Sequence, residues 1–160
     1  MSFTIRLIEH FDDAAVEAVI RACLVEFGGD REGTAWTDSD LGRFSEVYAC
    51  EGRAYWVVVD EAGDVVGGCG IGELEGVPGV CELQKMYCLP SARGIGVADE
   101  LLARALAFAR GRYERCYLET LVNMTRAQRF YERHGFERVS DALGNTGHCS
   151  CDVRYVRGLG

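Results

Sequence analysis

The stretch LPSARGIGVADELLARAL, Leu89 to Leu106, decides how this chain is read. It opens on a proline turn, passes through Arg93-Gly94-Ile95-Gly96-Val97-Ala98 and continues as an amphipathic run rich in alanine and leucine. Glycine lowers helix stability by about 1 kcal/mol relative to alanine, so two of them at a helix mouth need another reason. Three phosphate-binding patterns put glycine in such a place. A nucleotide P-loop needs GxxxxGK[ST], but Val-Ala-Asp follows Gly96. A dinucleotide fingerprint needs GxGxxG after the first strand; here no third glycine follows and the motif sits mid-chain. The third pattern, [QR]-x-x-G-x-[GA] between a strand and a helix, is satisfied by Arg93 to Ala98. Small residues let successive N–H groups approach a pyrophosphate, and the helix start favours an anion by about 0.3–2 kcal/mol. Val97, Leu101, Leu102, Ala105 and Phe108 recur at helical spacing and give that helix a docking face. A plain tight turn is the alternative reading of the two glycines.

Working outward, FTIRLIE (Phe3 to Glu9) alternates as a strand, and DDAAVEAVIRACLVEF is an amphipathic helix with acids at its start. GGDREGTAWTDSD is a loop, and a weaker helix is expected from Leu41 to Ala49. AYWVVVD and VVGGCGIGEL form a hairpin around EAGD, and CELQKMYCL is a third strand after GVPGV. The glycine-mouth helix spans about Gly96 to Arg110, RCYLETL is a strand, and TRAQRFYERHG is a short helix stopped by Gly135. FERVS and CDVRYV close the chain as strands. This order predicts an α/β layered fold with a mixed sheet, antiparallel in its first half, in one domain over residues 1–160.

Composition removes several classes. With 160 residues, 48% hydrophobic and 26% charged, the chain is globular rather than disordered. A net charge of −8 argues against nucleic acid, and the 17 cations are scattered, Lys85 being the only lysine. No apolar run approaches the ~20 residues of a membrane helix, and the N-terminus lacks a signal-peptide pattern, so a cytoplasmic location is expected. Of the eight cysteines, Cys23, Cys50, Cys69, Cys81, Cys88 and Cys116 sit singly in apolar segments as small hydrophobes. Only His148-Cys149-Ser150-Cys151 is closely spaced, and without a second ligand pair no metal is expected.

ELQKMYCLPSARGIGVADELL and AQRFYERHGFERV together resemble the cofactor motif and the later helix-turn-strand motif of the GCN5-related N-acetyltransferase (GNAT) superfamily, and the element order matches over nearly the whole chain. The resemblance implies a three-layer fold with a mixed six- to seven-stranded sheet and about four helices. It implies acetyl-CoA as cosubstrate and no metal. Met86, Tyr87 and Cys88 would offer backbone groups to the acetyl carbonyl and pantetheine arm, and Arg93, Gly94, Ile95, Gly96, Val97 and Ala98 would hold the pyrophosphate through main-chain N–H groups. Tyr131 matches the tyrosine that protonates the departing thiolate, and Glu82 a strand glutamate that serves some members as general base. Many members carry an asparagine at the position of Met124, one residue after Asn123, which is the candidate to take its place at the pantetheine arm. Family members often pair through their last strands, which makes a homodimer an expectation.

Each of these residues has a plainer reading: Tyr131 a core aromatic beside Phe130, Glu82 an ion-pair partner, Lys85 a structural cation. Cys88 lacks a histidine neighbour in the sequence, so a backbone role is preferred to a nucleophile. The acceptor pocket is expected from the early loop, the second helix and the loop before the last strand, with Trp36, Tyr55, Trp56 and His148 as candidate walls. Deprotonating a lysine amine (pKa ~10.4) at pH 7 costs about 4–5 kcal/mol, an α-amine near 8 only about 1 kcal/mol. Together with a likeness of CELQKMY and LGNTGHCSCDVR to a bacterial subgroup linked to amino-acid acetylation, this favours a free amino acid or related small amine. A protein or peptide N-acetyltransferase and a non-catalytic acetyl-CoA-binding regulator are the rival readings.

Overall fold

The computed structural model describes residues 2–160. Strand β1 (Thr4–Leu7) leads into helix α1 (Asp13–Glu26) and, after a long loop, the one-turn helix α2 (Phe44–Val47). Strands β2 (Ala54–Val59), β3 (Val65–Glu73) and β4 (Val80–Cys88) follow, then helix α3 (Val97–Ala109), strand β5 (Arg115–Thr120), helix α4 (Thr125–Arg133) and strands β6 (Glu137–Val139) and β7 (Val153–Gly158). All seven strands form one sheet in the order β1-β2-β3-β4-β5-β7-β6. β1 to β4 pair antiparallel, β4 and β5 pair parallel across the α3 crossover, and β7 lies antiparallel between β5 and β6.

Side-chain alternation along β2 explains the layering. Ala54, Trp56 and Val58 face one side and join Leu101, Leu102 and Ala105 of α3; Tyr55 and Val57 face the other and join Val16, Ile20 and Leu24 of α1. A strand buried on both faces reads as the continuous apolar run AYWVVV. Each leucine fully buried between sheet and helix contributes about 1.5–3 kcal/mol. β3 tolerates its glycines because the rings of Tyr48 and Tyr55 occupy the space beside it: a Cβ on Gly70 would lie 2.7 Å from Tyr55 and 2.8 Å from Tyr48.

The elements match the sequence reading in order and number, with differences at their ends. The helix expected over Leu41 to Ala49 shrinks to a single turn because Gly42, at φ 85°, interrupts the helical backbone before Phe44. β7 starts at Val153 rather than Cys151, whose N–H instead closes a turn onto the carbonyl of His148.

Candidate active site

The sheet comes apart at its centre. β4 and β5 pair only from Val80–Arg115 to Glu82–Tyr117, although β4 runs on to Cys88 and β5 to Thr120. Beyond Glu82 the two strands diverge. The other edge of β4 is also irregular: Gly68 opposes Tyr87 and Gly70 opposes Gln84, so Lys85 and Met86 together face Cys69. Lys85 takes φ 51°, unusual for a non-glycine residue. Three contacts hold this bulge: the Tyr55 hydroxyl donates to the Lys85 carbonyl at 2.9 Å, Lys85 Nζ meets Asp38 at 2.7 Å, and His148 Nε2 meets the same carboxylate at 2.8 Å.

On the α3 side the divergence opens into a cavity of about 490 Å³. Met86, Tyr87, Cys88, Arg93, Gly94, Gly96, Ala98, Asn123, Met124 and Tyr131 all line it. Gly94 and Gly96 have φ of 75° and 87°, left-handed values that glycine adopts without penalty. No atom lies within 4 Å of a Cβ added to Gly96, so backbone conformation rather than space dictates that glycine. The first turn of α3 leaves the N–H groups of Val97, Ala98 and Asp99 without intrahelical acceptors. Small residues, left-handed glycines and open N–H groups at the mouth of a large cavity fit a pyrophosphate.

The remaining expected residues are placed differently from one another. The Arg93 side chain is committed elsewhere: Nε donates to the Cys88 carbonyl at 2.8 Å, and both terminal nitrogens reach Glu26 at 2.8 Å. Its own N–H closes the Pro90 turn, so the open donors begin at Gly94. Ile95 is exposed and Val97 is buried in the core; with Gly96 they border a separate surface cavity of about 440 Å³. Asn123 lines the same 490 Å³ cavity but spends its amide donor on the Phe27 carbonyl at 2.7 Å, tying α4's entry to the end of α1. Met124 reaches two cavities at once, and its sulfur accepts from Thr120 at 3.5 Å.

Tyr131 and Glu82 meet at the crotch of the splayed strands. Both border a tight space of about 50 Å³ that also touches Met86, Tyr87 and Met124. Tyr131 is 7% exposed and packed against Phe130, Phe136 and Tyr155; among the described residues its hydroxyl has no hydrogen-bond partner. Burial pushes this phenol above its ordinary pKa, so it stays protonated at neutral pH. Glu82 is 9% exposed. Burial raises its pKa, while a hydrogen bond from Gln84 and the charges of Lys85 and His148 pull it down; burial wins. Gln84 Nε2 donates to Glu82 at 2.8 Å, and Gln84 is itself fixed by the Tyr48 hydroxyl, which donates to its Oε1 at 2.6 Å.

Sequence reasoning missed Gln84, Tyr48 and Asp38. Gln84 lies two residues from Glu82, hence on the same face of β4, and that spacing was the available signal. Nothing local in sequence points to Tyr48 or Asp38. The expected acceptor walls need correction. Tyr55 is buried beneath the sheet, Trp56 packs against Phe108 on the opposite face at 5.5 Å between ring centres, and Trp36 lies under the Arg21 guanidinium at 4.7 Å. Only His148 of the four reaches the cavity on the acceptor side. Among the cysteines, Cys50 is exposed rather than buried, and burial pushes the Cys88 thiol up to about 11, which leaves it a poor nucleophile. Among the described residues no three His, Cys, Asp or Glu side chains gather as a metal site would require, and no helix is long and apolar enough to cross a membrane.

Comparison with known proteins gives the family and the fold. Residues 51–138, more than half of the chain, match the family described as the acetyltransferase (GNAT) domain. The chain is 45% identical over 151 residues to the uncharacterized N-acetyltransferase YjgM of Escherichia coli (strain K12), covering 92% of this chain and 90% of that one. The fold is similar to a GNAT acetyltransferase of Staphylococcus aureus Mu50 (TM-score 0.85, 20% identity, 99% of this chain and 100% of that one). It is also similar to the PaiA N-acetyltransferase of Thermoplasma acidophilum in complex with coenzyme A (TM-score 0.73, 15% identity, 99% of each chain). The chain belongs to the GNAT acetyltransferase family and is an acetyl-CoA-dependent acyltransferase.

Proposed function

We propose that this enzyme moves the acetyl group of acetyl-CoA directly onto the primary amine of a small molecule, a free amino acid or related small amine. The observation that carries this reading is the meeting of Glu82 and Tyr131 in one tight space where β4 leaves β5. One is a carboxylate kept basic by burial, the other a phenol kept protonated by burial. Glu82 accepts a proton from the amine, directly or through water. The amine nitrogen then attacks the thioester carbonyl and a C–N bond forms; as the C–S bond breaks, Tyr131 protonates the departing thiolate, and the proton that the new amide nitrogen sheds restores the phenol, directly or through water. Backbone N–H groups of Met86 to Cys88 border the reacting carbonyl, because β4 has no ladder partner on its β5 side there. Gly94 to Ala98 receive the pyrophosphate.

A small acceptor suits the walls on the far side of Glu82. The loop before β7 lies across the early loop: Ser150 N donates to the Gly33 carbonyl at 2.9 Å, Ser150 Oγ to the Glu32 carbonyl at 3.2 Å, and His148 meets Asp38. A strap at that position narrows a groove that an extended peptide would occupy. The test is thiol release from acetyl-CoA with amino acids, diamines, aminoglycosides and short peptides, beside Tyr131→Phe and Glu82→Gln. Turnover with small amines that both variants slow supports the reading. Turnover on peptides alone, or coenzyme binding with no release from any amine, overturns it in favour of a protein acetyltransferase or an acetyl-CoA sensor.

A further inference from the structure

The stretch LGNTGHCSC, Leu143 to Cys151, lies between β6 and β7 and has no part in the acetyl-transfer steps above. Two left-handed glycines, Gly144 at φ 59° and Gly147 at φ 76°, bend it on either side of Asn145 and Thr146. A Cβ on Gly144 would lie 2.5 Å from the Glu75 carbonyl oxygen, so the stretch presses directly on the turn between β3 and β4. It is tied to both lips of the split sheet. On one lip the Asn145 N–H donates to the Glu75 carbonyl at 3.3 Å, and His148 meets Asp38 of the early loop. On the other lip, β5, the Leu143 N–H donates to the Tyr117 hydroxyl at 3.3 Å, and the Thr146 hydroxyl donates to Glu119. Glu119 lies two residues past the last rung that β4 and β5 share, on the same face as Tyr117. The Tyr117 hydroxyl donates to the second Glu119 oxygen at 2.5 Å. Burial and the carboxylate beside it both push the Tyr117 phenol up, so it remains the donor at neutral pH. Each Glu119 oxygen thus accepts one hydroxyl, and among the described residues Glu119 forms no ion pair.

This clasp sits inside the site. Glu119 borders the tight space that holds Glu82 and Tyr131, while Asn145, Thr146 and His148 border a cavity of about 590 Å³ on the acceptor side of Glu82. Thr146 also accepts the His148 N–H at 3.2 Å, so the residue that engages Asp38 is held from Thr146 as well. Resting on the small-amine reading above, we propose that Glu119 is a positioning residue for the acceptor: steadied by Tyr117, it clasps Thr146 and fixes the stretch before β7 as a wall that admits small amines and excludes extended peptides. Hydroxyl-to-carboxylate bonds are charge-assisted and directional, which suits a clasp. A carboxylate offers an acceptor oxygen to each hydroxyl, whereas an amide has one oxygen and an NH₂ group that only donates. Releasing the clasp leaves Glu82 and Tyr131 in place but frees the wall from β5. A small acceptor is then held less firmly, and a longer one gains room.

The test compares each free amino acid with the tripeptide X-Gly-Gly that carries it at the amino terminus, which presents the same α-amine with and without an extended chain. Thiol release from acetyl-CoA is followed for the intact enzyme, Thr146→Val, Thr146→Ser, Glu119→Gln and the double variant of Thr146→Val with Glu119→Gln. In Thr146→Val and in Glu119→Gln the KM for the amino acid is expected to rise about tenfold, with kcat and the KM for acetyl-CoA little changed. The ratio of tripeptide to amino-acid kcat/KM rises by about tenfold too, the size of one lost hydrogen bond to a charged group. Thr146→Ser keeps the hydroxyl and the intact values, and the double variant is no worse than the worse single one, because both remove the same contact. Variants that melt earlier but keep both KM values and the ratio, or a Thr146→Ser that behaves as Thr146→Val, overturn the proposal while leaving acetyl transfer intact. Tyr117 is fully buried, so if Glu119→Gln fails to fold the two Thr146 variants carry the test. If no free amino acid turns over, the small-amine reading fails and the selectivity falls with it. Hydrogen–deuterium exchange of residues 141–151 then decides the clasp by itself: exchange quickened in Thr146→Val and not in Thr146→Ser upholds it, and exchange unmoved in both refutes it.

Discussion

Replacing Gln84 by leucine removes the one hydrogen bond that the Glu82 carboxylate accepts among the described residues. That bond, at 2.8 Å, favours the charged carboxylate, whereas burial disfavours it. Hydrogen bonds to charged groups contribute about 1.5–3 kcal/mol. With 1.36 kcal/mol per pKa unit, its loss should raise the Glu82 pKa by about 1–2 units. If Glu82 takes the amine proton, kcat/KM falls as pH drops through that pKa, and the acid limb of the profile in Gln84→Leu moves to higher pH by the same amount. The alkaline plateau stays closer to its original height, because the base is still present once ionised. Tyr48→Phe should move the limb in the same direction by less, since it only frees the Gln84 amide that the Tyr48 hydroxyl holds. The measurement is kcat/KM for one amine across pH, with far-ultraviolet circular dichroism and melting curves to show that each variant is folded. Gln84→Leu leaves the buried Tyr48 hydroxyl without its acceptor and should lower stability by about 1–3 kcal/mol, a change read separately from the pH limb. A folded variant whose acid limb does not move, or moves to lower pH, refutes the role of Glu82 as the base.

Other perturbations separate the remaining parts. Tyr131→Phe should lower kcat by about 10²-fold or more with little change in acetyl-CoA binding, because the phenol is needed only when the thiolate leaves; stopped-assay kcat and coenzyme titration check this. Gly96→Ala forces a Cβ onto a backbone at φ 87°, so melting should fall by about 1–3 kcal/mol and the KM for acetyl-CoA should rise, although no neighbour clashes. Asp38→Asn removes the charged partner of half-buried Lys85 and should cost about 1.5–3 kcal/mol, read as a drop in denaturation midpoint. Burial alone would raise the Asp38 pKa, but His148 and Lys85 hold it below its ordinary value. This group therefore stabilises the fold fully above the unfolded carboxylate pKa and ceases to do so as pH falls through its lower folded value. Denaturation followed down from neutral pH should show an acid loss of stability that is smaller in Asp38→Asn.

The fold and the lining of the cavity on the α3 side were legible because both are written locally. A helix mouth with two left-handed glycines, a strand before it and an apolar helical face behind it occupy one contiguous stretch, Glu82 to Phe108, and period-2 and period-3.6 patterns gave every element. Tyr131 was legible for the same reason, sitting in AQRFYERHGF with the glycine stop that fixes its helix end. The acceptor half was not legible. Tyr55, Trp56 and Trp36 looked like pocket walls because they are aromatic and near the expected loops, yet alternation along β2 sends Tyr55 and Trp56 to opposite faces of the sheet and buries both. A residue's type does not show which cavity it reaches.

By itself, then, the sequence determined which segments are strands and helices, where the backbone must turn left-handed, and which helix start could receive a pyrophosphate, since each depends on interactions within a few residues. Only the tertiary structure decided where β4 parts from β5, that Lys85 bulges and is clamped by Asp38 and His148 from two distant loops, and that Tyr48 reaches Gln84 to orient it on Glu82. The physical reason is separation along the chain: these contacts join residues tens of positions apart, and their register is set by packing both faces of a seven-stranded sheet, which no local pattern encodes.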